Sequence, residues 1–96
     1  MLVKIKSINE DEHKVKVTLL DIDDYGSLIP LENLEFNLPS KDDSIIDILK
    51  NSSYAAIFTE GDSYHNNATI ILANGITYDE LDKEKKKTIN TAMHKR

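Results

Sequence analysis

Cysteine and tryptophan are absent from the 96-residue chain, and the missing cysteine removes whole classes of chemistry. Without it there are no disulfides, no thiolate ligands for zinc or iron–sulfur clusters, and no thiol nucleophile. Aromatic residues make up only 6%, so the core has to be built from Ile, Leu and Val. Glycine occurs three times and never in a cluster, which excludes a glycine-rich phosphate loop. No apolar run approaches the ~18–20 residues that cross a bilayer as a helix. Met1 leads directly into an alternating pattern, so neither a leader peptide nor a membrane association is expected, and the cytoplasm is the expected compartment.

What remains is 40% hydrophobic and 30% charged, the balance of a globular chain, and residues 1–96 are expected to form one domain. Val3 and Ile5 alternate with Lys4 and Lys6, and Val15, Val17 and Leu19 alternate with Lys14, Lys16 and Thr18. Two such runs joined by the polar residues 9–13 read as a hairpin, with lysines blunting a sheet edge or covering a solvated face. Asp21-Ile22-Asp23-Asp24-Tyr25-Gly26 then breaks the second strand with turn chemistry. Leu28–Leu31 and Leu34–Leu38 read as two short extended pieces, with Pro30 favouring an edge. Ser40 as N-cap, Asp42 and Asp43 in the first turn, and the stripe Ile45, Ile46, Ile48, Leu49 predict a short helix ending at Asn51-Ser52-Ser53. Residues 54–59 and 68–73 read as strands joined by a polar hairpin connection.

Thr77 and Glu80 form a T-x-x-E capping box, and Ile76 and Leu81 a hydrophobic staple, so a last helix starts at Tyr78. Its apolar stripe (Tyr78, Leu81, Ile89, Ala92, Met93) is thin and is interrupted by Lys85. The predicted class is α+β: a small, mostly antiparallel sheet of about five strands, with one short central helix and one C-terminal helix.

Charge is uneven. Residues 1–64 hold thirteen acids against six bases, while residues 65–96 hold four against six. The candidate binding residues are accordingly the clustered carboxylates Asp21, Asp23, Asp24, Glu32, Asp42, Asp43 and Asp47, together with Tyr25. Asp21 and Asp23 are expected to share a strand face, and Asp43 and Asp47 a helix face. Carboxylates grouped without lysine partners fit display toward a basic surface. A net charge of −5 opposes phosphate approach, so no direct nucleic-acid contact is expected. The segment 21–32 partly matches a calcium loop, with Asp21, Asp23, Gly26 and Glu32 in place. Tyr25 stands where an oxygen ligand belongs, and the flanks read as strands, so an acidic turn without metal is expected. Asp62-Ser63-Tyr64-His65 gathers an acid, hydroxyls and an imidazole, but neighbours in one loop do not orient one another for catalysis. No enzyme activity, cofactor or metal is expected.

Val17–Gly26 followed by Ile29-Pro30-Leu31-Glu32-Asn33-Leu34 resembles the strand–DYG–strand–L-x-x-L segment of Tudor domains. These are small SH3-like barrels that bind methylated Arg or Lys in an aromatic cage. The resemblance implies Tyr25, with Tyr54 or Tyr64, as cage aromatics; the helix near residues 41–50 departs from the minimal barrel. Three functional classes follow. The first is a non-catalytic module that presents carboxylates to a basic, nucleic-acid-binding protein, an inhibitor in the manner of small acidic phage or mobile-element products. The second is an oligomeric module joined through Leu28–Leu38, and the third a peptide reader of SH3-like type.

Overall fold

Alternating β-branched residues give each strand one apolar face, and five such strands form a single sheet. The computed structural model describes residues 1–39, 43–61 and 65–94, and of Asp43 and residues 91–94 only the backbone. The elements run β1 (Leu2–Asn9), β2 (Lys14–Ile22), β3 (Leu28–Asn37), α1 (Asp43–Lys50), β4 (Tyr54–Thr59), β5 (Ile70–Ile76) and α2 (Tyr78–His94). This is the predicted α+β class. Ser40, Asp42 and Asp62-Ser63-Tyr64 lie outside the described residues.

Spatial order is β3-β2-β1-β4-β5 with antiparallel neighbours throughout. Three consecutive strands followed by a fourth returning beside the first is a Greek key. The two outer strands then meet. Asn37 bridges Thr69 in parallel sense, the Asn37 N–H donates to the Ala68 carbonyl at 2.8 Å, and the Asn67 N–H donates to the Glu35 carbonyl at 2.8 Å. Asn66 and Asn37 add side-chain bonds across the same seam, Glu35 N–H to Asn66 Oδ1 at 2.8 Å and Asn37 Nδ2 to the Asn67 carbonyl at 2.6 Å. The result is a partly open five-stranded Greek-key barrel with a helix between β3 and β4, the arrangement of OB folds. The connection before β5 is therefore more than the expected hairpin loop, because Asn66 and Asn67 with Ala68 and Thr69 close the barrel, and β5 itself runs Ile70–Ile76 rather than 68–73.

Curvature comes from three register shifts, at Lys6 in β1, at Leu31 in β3 and at Ile71 in β5. An extra residue on one strand bends it and increases its twist, which a small barrel requires. The first shift also repairs the hydrophobic pattern. Strict alternation assigns Ser7 to the face of Val3 and Ile5; the bulge instead sets Ile8 against Val15, and Ile8 packs on the core. Two expectations change for related reasons. Leu28–Asn37 is one ten-residue strand rather than two pieces, because the bulge at Leu31 absorbs the break. β2 runs through Asp21 to Ile22, because pairing with Leu28 and Ile29 holds it extended.

Inside the barrel Val3, Val15, Val17, Phe36, Ala55, Ile57 and Ile70 are fully buried. Helix α1 buries Ile45, Ile46 and Leu49 in the same core, and Gly75 lets its C-terminal turn approach β5 closely, since a Cβ there would collide with Ser52 Oγ. Helix α2 crosses the opposite, outer face of the sheet. The Thr77 half of the expected capping box is present, with the Glu80 N–H donating to Thr77 Oγ1 at 3.2 Å, and Leu81 is buried. Beyond that it touches the barrel lightly. The rings of Tyr78 and Tyr54 meet edge to face at 6.0 Å, and Ile89 and Lys85 lie against Gly26. An open cavity of about 730 Å³ separates the helix from Leu2, Leu20 and Ala56 beneath it.

Candidate functional site

The turn joining β2 to β3 holds the densest group of predicted binding residues, and one of them builds it. Asp23 Oδ1 accepts from the Tyr25 N–H at 2.9 Å and the Ser27 N–H at 2.8 Å. The backbone closes around it, Asp23 N–H to the Ser27 carbonyl and Gly26 N–H to the Asp23 carbonyl, each 3.0 Å. An aspartate bonding its own backbone two residues on is a recurrent turn device. Gly26 completes it at φ 81°, a left-handed conformation that glycine adopts without steric cost. The turn is braced from outside as well, since a Cβ on Gly26 would lie 2.8 Å from Ile89 Cδ1 and 3.5 Å from Lys85 Cβ.

The consequence is a division of labour among residues that look alike in sequence. Asp23 is half-buried and structural. Asp21 lies in β2, not on a shared strand face with Asp23, and its Oδ1 accepts from the Ile22 N–H at 2.8 Å. Asp24 and Tyr25 project from the braced turn, Tyr25 with 79% of its surface exposed. Glu32 is exposed on β3, opposite Leu19. Ile29 and Leu31, also exposed on β3, add apolar surface nearby.

Asp47 belongs elsewhere. It is exposed on α1, one turn before Lys50, which forms an ion pair with Glu10 in the β1–β2 turn. That turn sits at the far end of β2 from Asp21. Asp43 begins α1, so the carboxylates fall into two separate groups, one at the β2–β3 turn and one on α1. Lys50 is held above its ordinary lysine value, first by its hydrogen bond to Glu10 and next, in the same direction, by the nearby charges of Glu10 and Asp47. Among the described residues no three His, Asp or Glu side chains group as a metal site. In the calcium-loop segment the Asp23 carboxylate is turned onto its own backbone.

Other predicted surfaces are changed by burial. Leu34, Phe36 and Leu38 are core residues, so only Ile29 and Leu31 of the Leu28–Leu38 run remain as large exposed contacts. The hairpin resembling Tudor domains is indeed strand–turn–strand. The ring contact among the described residues, however, joins Tyr54 to Tyr78 rather than to Tyr25. Sequence reasoning missed the bracing of Gly26 by Ile89 and Lys85; the one available signal was Ile89 itself, an isolated apolar residue in a lysine-rich stretch. No family model matches the chain, and no curated protein or solved structure matches it either.

Proposed function

We propose that the protein is a non-catalytic binding module that engages a basic protein through the β2–β3 turn. Asp21, Asp24 and Glu32 supply charge, and Tyr25 is the central contact. The observation that carries this reading is the rigidity of the turn. A loop already held by four internal hydrogen bonds and buttressed by α2 loses little conformational entropy on binding. It presents a tyrosine, a residue type enriched among energetic hot spots, beside carboxylates that steer a cationic surface. Inhibition of a cytoplasmic nucleic-acid-binding protein, in the manner of small phage or mobile-element products, is the biological form this reading takes. No helix among the described residues is long and apolar enough to cross a membrane.

The test is affinity capture with the wild-type protein and with Tyr25→Ala and Asp21→Lys/Asp24→Lys variants, leaving Asp23 intact so that the turn persists. The reading requires a basic partner whose recovery falls steeply with salt and is lost in both variants. Recovery of the same proteins by all three baits overturns it.

A further inference from the structure

The outer face of the barrel carries a second charged surface of opposite sign. Lys4 lies on β1 opposite Thr18 of β2, and Ser7 lies opposite Lys16, with Lys6 as the extra residue between Ile5 and Ser7. The bulge therefore brings Lys6 to the same side as Lys16, and Lys4 stands two residues away along β1, about 6.6–6.8 Å by strand rise. All three are exposed. β1 is the central strand and β2 is interior, so these lysines do not protect a sheet edge. Like charges facing one another across neighbouring strands destabilise a sheet. Lys14 relieves its charge against Glu35 at 3.6 Å, yet Lys4, Lys6 and Lys16 have no ion pair among the described residues. Lys6 reaches only Asn33 Oδ1, at 3.5 Å, an oxygen that already accepts from Thr18 Oγ1 at 2.8 Å.

Helix α2 leaves this part of the face open. Two adjoining depressions, of about 620 Å³ along Lys4, Thr18 and Tyr54 and about 410 Å³ along Lys16 and Asn33, share Lys6 as a common wall. They form one trough with three ammonium groups along it, a tyrosine at one end and one carboxylate, Glu35, on the wall beside Lys16. Acids guard both ends of β2, Glu10-Asp11-Glu12 in one turn and Asp21 and Asp24 at the other.

From this charge pattern we infer that the trough binds single-stranded nucleic acid, holding the phosphate backbone on Lys4, Lys6 and Lys16. A flexible polyanion keeps within a narrow cationic strip, whereas the two backbones of a duplex would reach the acidic turns that flank it. With no arginine in the trough and the half-buried Tyr54 ring already set against Tyr78, contact is to phosphate and sequence preference is weak. Most of the chain's acids lie in the turns; the carboxylate on this face, Glu35 opposite Lys16, is engaged by Lys14 at 3.6 Å and leaves the other three lysines in excess. The inference is independent of the acidic-turn reading.

The experiment is fluorescence anisotropy of a labelled oligothymidine of ~15 nucleotides, near the upper site size of one small barrel, titrated with the full chain at increasing salt. Three phosphate contacts predict a slope of log K against log salt of about −2. The Lys4→Ala/Lys6→Ala/Lys16→Ala variant is expected to lose at least tenfold in affinity and to flatten that slope. Its melting temperature should be retained or raised, because repulsion is removed. Asp21→Lys/Asp24→Lys should bind at least as well as wild type, which separates this face from the acidic turn. No binding at low salt overturns the inference. So does equal binding by the triple variant, tighter binding of a duplex of the same length, or loss on replacing the α2 lysines Lys83, Lys85 and Lys86 instead.

Discussion

Helix α1 has eight residues and helix α2 seventeen, yet the shorter one is the better anchored. α1 places Ile45, Ile46 and Leu49 in the barrel core. α2 buries Leu81 apart from that core and otherwise rests on Tyr54 and on the glycine of the β2–β3 turn. Helix length and helix attachment are thus separate properties here. α1 is short because three apolar residues in eight suffice when they enter a shared core. α2 is long because its cap and its acid-first, lysine-later sequence hold it with little help from packing.

The largest effect that separates the two helices is expected from Leu49→Ala, which removes a side chain that is 1% exposed and should cost about 3 kcal/mol of global stability. Urea unfolding followed by any probe should show it as one cooperative loss. Leu81→Ala removes the same atoms but should act locally, costing about 2 kcal/mol of docking. Amide exchange in α2 should accelerate while β1 and β2 keep their protection. A global destabilisation equal to that of Leu49→Ala would show that α2 is an integral part of the core. Gly26→Ala comes next, at about 1–2 kcal/mol for a left-handed alanine, plus the clash with Ile89. The double variant with Ile89→Ala should be less damaging than the two costs added together; strict additivity would mean that α2 does not rest on the turn.

The smallest effect concerns the tether of α1 to the β1–β2 turn. Because Lys50 is raised above the ordinary value of 10.5, its contribution is complete below that pH and disappears as pH rises through the folded value. Lys50→Gln should therefore narrow the stability difference between neutral and strongly alkaline solution. The pair is solvent-exposed and the effect small. An unchanged alkaline profile would remove the tether from the account of α1.

Much of this architecture is legible in sequence because its causes are local. The N-cap at Thr77, the stripe of α1 and the period-2 stretches Val3–Ile5 and Val15–Leu19 depend on neighbours within a few residues, and these appear as read. What escaped depends on partners far along the chain. The bulge at Lys6 is decided by pairing with β2, and the continuity of β3 by nine residues of register with β2. At the candidate site the cluster of acids and Tyr25 could be seen in advance. The different roles of Asp23 and Asp24 could not, because they rest on which carboxylate turns back onto the Tyr25 and Ser27 amides. The lysine trough was half visible, as alternating lysines, but its interior position in the sheet was not.

The seam between Asn37 and Thr69 bears on folding kinetics. It joins segments about thirty residues apart with a handful of hydrogen bonds, so it closes a long loop for little local gain and should form after the β1–β2–β3 meander. It should also be the first part of the barrel to open. Opening frees the outer edges of β3 and β5 together, and unpaired edges are templates for joining another chain. The amides of Asn37 and Asn67 should then exchange well before those of Val15 and Val17, and an Asn37→Ala/Asn66→Ala variant, which removes both side-chain bonds of the seam, should self-associate on storage while its fold is still intact. In that sense two asparagine side chains, Asn37 and Asn66, guard the outer edges of the barrel against a second chain.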